Sequence, residues 1–447
     1  MAIKTINKAR FNALAYSRSP YTFFYSEELS WFSDEQENII GTVILDKTDN
    51  DYGFIVLGRD ESSLFRCIDN EINFETVERA ETALKIKINE YSSSGQSTFP
   101  QGDSFKKKNL IFQQIVSDEK LHRHFKTLST NKGYSPAKEI IKEIAYAFID
   151  LDGNFIQQFQ SDGFNARIWE LFIYAFLHEE NFDLRNDIFP APDFNCTKFG
   201  INISIEAVTV NPTENETAQD ILLKPDEIQE KLKDYMPIKF GSPLFSKLKK
   251  KYWEKEHVKD HPLIFAIQDF HHETSMLWSR TALMDYLYGV RHKWEKDSSG
   301  NLIITSERIG KHSYEGKEIP SGFFFLPDSE NVSAVLFSNS ATIAKFNRMG
   351  WLAKFGNQKI NMIRVGTCHN HDPNATEPLQ FKIDISDERY QESWGQGLSL
   401  YHNPNAIHPI PPEIFPSIGH HFFKEEKIVS YLPDFYPYAS LTYISIS

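Results

Sequence analysis

Cysteine is scarce: Cys67, Cys196 and Cys368 are the only three in 447 residues, widely spaced and odd in number. That pattern excludes a disulfide framework and a CxxC metal knuckle, and marks them as reduced thiols. No apolar run reaches the roughly 18 residues of a membrane span. The opening MAIKTINKARFNALAY lacks the continuous apolar stretch of a secretory signal, so the expected location is cytoplasmic, with no membrane partner. Positive charge is in deficit, 48 Lys and Arg against 61 Asp and Glu, a formal net charge of -13. Affinity for phosphates grows with clustered cations, so a protein that coats nucleic acid nonspecifically is disfavoured and any nucleic-acid site must be a local patch. Phosphate cradles of the GxxxxGK[ST] or GxGxxG type are absent, as is a GxSxG elbow. ATP-driven, dinucleotide and nucleophile-elbow chemistries therefore have no support.

What is present is the composition of a globular chain, 40% hydrophobic and 24% charged, long enough for two or three units. The stretches GTVILDKTDNDYGFIVLGRD and SLFRCID predict a hairpin or meander turning near Asp49 to Asp51, followed by a helix over residues 74–91 and the polar linker SSSGQSTFPQGDS. From residue 137, AKEIIKEIAYAFIDLDG and FNARIWELFIYAFLHEEN predict two helices, the second apolar on most of its surface. FDLRNDIFPAPDFNCTKFG and INISIEAVTVNP predict two or three strands, 217–256 a charged helical region, PLIFAIQDF a buried strand and SMLWSRTALMDYLYG a helix. SGFFFLPD and VSAVLFSNS predict further strands before a Pro-, Asn- and His-rich remainder. The expected fold class is α+β or α/β, with an N-terminal α+β domain over 1–140, a core over 141–300 and a strand- and loop-rich extension over 301–447.

Three acids stand where acids are expensive. Glu206 lies inside the apolar strand Ile-Ser-Ile-Glu-Ala-Val-Thr-Val, Asp193 follows Pro192 at a turn between strand signals, and Glu170 interrupts the apolar helix Ile168-Trp169-Glu170-Leu171-Phe172. A carboxylate so placed needs a cation or hydrogen-bond donors. Converging carboxylates suit a hard divalent ion such as Mg²⁺.

In this order the residues resemble the PD-(D/E)XK (restriction-endonuclease-like) nuclease superfamily over roughly residues 160–290. The resemblance implies a core of helix, three-strand meander, helix and strand. It matches Glu170 to the helix acid, Pro192-Asp193 to the PD element and Glu206 to the acid of (D/E)XK. It also implies Mg²⁺ or Mn²⁺ on Asp193, Glu206 and Glu170, hydrolysis of phosphodiester bonds, DNA as the first choice of substrate, and a role in restriction or phage defence. Val208 departs from the pattern, standing where the family places its lysine. Some members supply the lysine from a neighbouring helix, which makes Lys247 of GSPLFSKLKKKYW the leading candidate, ahead of Lys224 and Lys198. Gln268, at the end of the next buried strand, and His271 are expected near the cleft. The competing expectations are a catalytically silent binding or regulatory domain of the same fold, and a structural protein whose acids face solvent. A homodimer is left open.

Other signals have plainer readings. Lys249 to Lys251 read as a solvated helix face rather than a phosphate track. The clusters His271-His272-Glu273, Cys368-His369-Asn370-His371-Asp372 and His420-His421 lack zinc spacing, so loop or surface roles are expected.

Overall fold

The computed structural model describes residues 3–102, 109–184, 189, 191–212, 224–272 and 277–446. It is a mixed α and β protein with several sheets. Two compact units emerge: Met1–Phe164 with Leu177–Asp183 and Lys345–Lys359, and Asn165–Phe176 with Leu184–Ala344 and Ile360–Ser447. Residues beyond 300 thus contribute to both. Among the described residues no helix is long and apolar enough to cross a membrane.

In the first unit the β-branched runs form an antiparallel meander of Lys4–Ile6, Ser26–Ser33, Ile39–Asp46, Tyr52–Arg59 and Phe65–Phe74. The expected helix runs over Val77–Ser93, its start marked by the Thr76 hydroxyl accepting from the Arg79 N–H. Ala80, Leu84 and Ile88, four apart and so on one helical face, pack on Phe32, Ile39, Val43, Phe54 and Val56. A Cβ at Gly41 would lie 2.5 Å from Leu84 Cδ1 and 3.0 Å from the Ile55 carbonyl oxygen, so a side chain there would have to displace the tip of Leu84.

The second unit is organised by one eight-stranded sheet. Its strands are β1 (Asp183–Leu184), β2 (Phe194–Lys198), β3 (Ile201–Val210), β4 (Leu263–Asp269), β5 (Ala334–Ser338), β6 (Ser399–His402), β7 (Gly419–Lys424) and β8 (Lys427–Tyr431). Across the sheet they follow chain order from one edge to the other. Strand β2 is antiparallel to β3, whereas β3, β4 and β5 are mutually parallel. Parallel neighbours need crossovers. The helices α2 (Met236–Leu248) and α3 (Arg280–Tyr288) lie on the two crossovers, and α1 (Phe164–Glu179) precedes β1. The extension expected over 301–447 therefore continues the sheet of the core through β5 to β8.

Because side chains alternate along a strand, β3 sends Glu206, Val208 and Val210 to one face. The register aligns them with Phe265, Ile267 and Asp269 of β4. On that face Val208, Val210, Phe265 and Ile267 meet Phe240, Leu244 and Leu248 of α2 and Leu283 and Leu287 of α3 in one buried cluster. Burying each such side chain contributes about 1.5 to 3 kcal/mol. The Trp169 indole N–H of α1 donates to the Ala266 carbonyl of β4 at 2.9 Å, which fixes the helix that carries Glu170.

Two local expectations change. SGFFFLPD is a 3₁₀ turn over Phe323–Phe325, because Gly322 is left-handed (φ 82°) and turns the chain while Phe323 and Phe324 point into the core. The region after β5, expected to be loop-rich, holds β6 to β8 and an antiparallel sheet of Leu379–Asp384, Ile360–Cys368 and Pro437–Ile446. Residues 217–223 of the expected charged helix lie outside the described residues. Its remainder forms Pro225–Glu230, Lys231–Tyr235 and α2.

In the first unit, His178 packs on the Tyr16 ring with centroids 4.8 Å apart. Burial, then the Arg18 charge, holds its pKa down to about 3. The unfolded chain takes up this proton near the ordinary 6.5, so between about pH 6.5 and 3 the unfolded state binds more protons and stability falls on acidification. We expect His178→Phe to flatten the pH slope of unfolding free energy by up to about 1.4 kcal/mol per pH unit over that window. Denaturant titrations at pH 4 to 7 measure it, and an unchanged slope would contradict the burial of a neutral imidazole.

Candidate functional site

The register of β2 and β3 pairs Phe194 with Ile205, and continued by one residue it sets Asp193 opposite Glu206. Cross-strand neighbours share a face, so the PD turn and the buried-strand acid converge. Asp193 Oδ2 accepts the Ala207 N–H at 2.7 Å, tying the turn to β3. Glu206 is buried. Its Oε1 accepts the Tyr252 hydroxyl at 2.5 Å and also the Lys247 ammonium, while Oε2 is buried with no hydrogen-bond partner.

Lys247 sits in the last turn of α2, where a cation is favoured by the helix dipole. Lys251 follows in the left-handed conformation (φ 48°) and reverses the chain, so that Tyr252, opening the short turn Tyr252–Glu254, returns to Glu206. Glu170, buried on α1, accepts from Arg167 Nη1 on both oxygens, at 2.9 and 2.7 Å. These two residues are three apart, a spacing that places them side by side on a helix.

The acids feel one another. Burial, then the Glu206 and Glu170 charges, pushes the Asp193 carboxyl up to about 8, against the pull of the Ala207 N–H and Lys247. Burial also raises Glu170, opposed by Arg167 and reinforced by Glu206. Burial and the Glu206 charge keep the Tyr252 phenol protonated, so it acts as a donor.

Glu170, Asp193, Glu206 and Lys247 are thus brought together, and the other expected residues are not. Gln268 aligns with Thr209, on the face of the sheet opposite Glu206, and is held by the Asp269 carbonyl and the Ala341 N–H. Its placement in the cleft is corrected by strand alternation. His271 lies beyond the end of β4, its N–H and Nδ1 both on Asp269 Oδ1 at 3.0 and 2.7 Å. Glu273 of that histidine cluster lies outside the described residues. Lys198 donates to the Ile414 carbonyl at 2.7 Å, and Lys224 is exposed before Pro225–Glu230. Lys249, Lys250 and Lys251 are exposed as expected, but they follow the end of α2 rather than forming a helix face. His420 and His421, expected on a loop or surface, are buried on β7, because their rings are satisfied by His402, Ser430 and carbonyl partners.

Tyr252 and Arg167 are partners of the acids that the sequence reading does not supply. Arg167 has a signal in its helical spacing from Glu170; the Tyr252 contact depends on a left-handed turn at Lys251 that no residue pattern announces.

No family model matches the chain, and no curated protein or solved structure does. The chemistry must be read from the residues.

Carboxylate oxygens on Asp193 and Glu206, one of them buried without a partner, are a donor set suited to a hard divalent ion. Among the described residues no three His, Cys, Asp or Glu side chains are disposed to hold an ion as they stand. Arg167 occupies both oxygens of Glu170, and Lys247 with Tyr252 occupies Glu206 Oε1. The fit is therefore to Asp193 and Glu206 rather than to all three acids.

A carboxyl pKa raised to about 8 makes the folded state hold a proton that the unfolded chain loses near 4, so in chelator stability falls as pH rises between those values. We expect Asp193→Asn to reduce that decline, by up to about 1.4 kcal/mol per pH unit. Unfolding curves from pH 5 to 8 in chelator test it; a wild-type slope no steeper than the variant's would remove Asp193 from the buried acidic group.

Proposed function

We propose that the chain is a metal-dependent nuclease with a restriction-endonuclease-like core, hydrolysing phosphodiester bonds with DNA as its first substrate. The observation that carries this reading is the meeting of Asp193, Glu206 and Lys247 at the junction of β2, β3 and the end of α2. The element order supports it: helix α1, the consecutive neighbours β1, β2 and β3, helix α2, then β4 parallel to β3. Lys247 approaching Glu206 supports the idea that a helix supplies the cation missing at Val208.

Asp193 and Glu206 would hold Mg²⁺ or Mn²⁺, with Glu170 and Arg167 walling the site. When bound, the ion supplies Lewis-acid neutralisation of charge on the phosphodiester. Lys247 then plays a different part. Released from Glu206, its ammonium donates to a phosphate oxygen as charge develops there. Tyr252 holds Glu206 Oε1, and the unpartnered Oε2 would be the oxygen available to an ion. Burial of Glu206 and the partial burial of Asp193 strengthen each of these interactions by excluding water. A place in restriction or phage defence would follow from the family resemblance alone.

A second reading, a catalytically silent domain of the same fold, is favoured by one feature: with Val208 in place of lysine, Glu206 is already neutralised by Lys247. One assay separates the two. Plasmid, single-stranded DNA and RNA are incubated with Mg²⁺, Mn²⁺ or chelator. The expected outcome is ion-dependent cleavage of DNA, abolished in Asp193→Ala and Glu206→Ala and reduced about 10²- to 10³-fold in Lys247→Ala, as for loss of one charge-stabilising donor. Equal background cleavage by wild type and all three variants would leave only the silent reading.

A further inference from the structure

We propose that the N-terminal end of α3 is a binding site for a phosphate group, formed by Trp278, Ser279 and Arg280. This site is separate from the acidic group and does not rest on the nuclease reading. Its basis is three consecutive residues that each carry a buried donor with no acceptor. The Trp278 indole N–H is buried without a partner. Ser279 is fully buried at the residue that caps α3, yet its hydroxyl makes neither a capping bond nor any other. Arg280 opens the helix with its guanidinium bonded once, from Nη2 to the Gly397 carbonyl at 2.6 Å, while Nε and Nη1 are buried and unbonded.

The described surroundings supply no negative charge for Arg280. It lies over the Tyr436 ring at 4.8 Å and near Tyr438 and Phe337 at 5.7 and 5.8 Å. Ring faces attract a cation but do not replace a counter-ion. Among the described residues it forms no ion pair. Asp269, the buried acid that ends β4, gives Oδ1 to His271, and its Oδ2 has no hydrogen-bond partner, so it does not compensate Arg280. A half-buried guanidinium with two buried nitrogens and no carboxylate is unusual in any protein. It is more so in a chain whose acids exceed its bases, 61 to 48.

An oxyanion seated at the start of this helix would supply the acceptor that these donors lack. With Nη2 on the Gly397 carbonyl, Nε and Nη1 lie on different edges of the guanidinium, so a phosphate would meet one edge, and the hydroxyl and indole would offer further donors. The position is chemically apt too, since α3 follows the parallel strand β4, and a helix N-terminus beyond the carboxyl end of such a strand favours anions through its exposed amides and dipole. Free phosphate, a nucleotide and the terminal phosphate of a nucleic acid share this chemistry.

The test uses the full chain in chelator, with calorimetric titration and thermal unfolding in sodium phosphate against sodium chloride of equal ionic strength. Parallel titrations use adenosine monophosphate and an oligonucleotide with or without a 5′-phosphate, and the tightest binder identifies the source. The expected result is saturable phosphate binding that raises the wild-type melting temperature with concentration. Binding should weaken at least tenfold in Arg280→Met and severalfold in Ser279→Ala. In phosphate-free buffer, Arg280→Met should melt no lower than wild type, because it removes an uncompensated charge and keeps the stem over Tyr436. A purely structural arginine gives the opposite, a lower melting temperature with no phosphate effect. If Arg280→Met does not fold, Ser279→Ala and Trp278→Phe carry the test. Unchanged phosphate affinity in both, or no saturable binding by wild type, overturns the proposal.

Discussion

A carboxylate in the middle of a buried strand has to be compensated, and the geometry around Glu206 follows from that requirement. Its neighbours on β3 and β4 are Val208, Phe265 and Ile267, which offer dispersion and no polarity. Compensation comes from outside the sheet: a lysine from the last turn of α2 and a tyrosine that a left-handed Lys251 brings back to the same oxygen. The second oxygen has nothing. Leaving one buried carboxylate oxygen unmatched costs about 1 to 3 kcal/mol or more, which a protein built for stability alone would avoid with an apolar residue at this position. That unmatched oxygen is therefore the feature that links fold to proposed chemistry.

Asp193 and Glu170 extend the same problem to neighbouring elements. Each raises the cost of ionising the other, and pairing through both oxygens with Arg167 offsets part of that cost for Glu170. Asp193 has only one backbone N–H and a distant share of Lys247, so it is the acid whose charge most needs an added cation. A divalent ion between Asp193 and Glu206 would relieve both. The same reasoning applied to opposite charge singles out Arg280, a cation with rings and one carbonyl about it.

Much of this is legible in the chain, for identifiable reasons. Glu206 and Glu170 interrupt apolar periods, and a charged residue in such a run advertises a partner whether or not the partner can be named. Lys247 stands out because a helix must cross over between parallel strands and its last turn carries a lysine. Gln268 is not placed correctly from sequence, because strand alternation gives two faces but not which of them a given register turns toward Glu206. SGFFFLPD has the apolarity of a strand, yet that apolarity reports burial, and the left-handed Gly322 decides the backbone. Beyond residue 355, Ile360–Cys368 and Pro437–Ile446 are only partly buried, and Arg364 and Thr442 within them blur the alternation on which strand recognition depends. Their pairing is long-range, between segments some 70 residues apart, and carries no local signal.

If Glu206 and Asp193 form one site for a divalent ion, the ion must bind without any substrate present. The most direct measurement is calorimetric titration of Mn²⁺ into the nucleic-acid-free protein, with wild type, Glu206→Gln and Asp193→Asn compared. The expected result is saturable binding by wild type, release of protons on binding at pH 7 as Asp193 ionises, and loss of binding in both variants. Mn²⁺ affinity that is absent in wild type, or equal in all three proteins, would contradict a shared site.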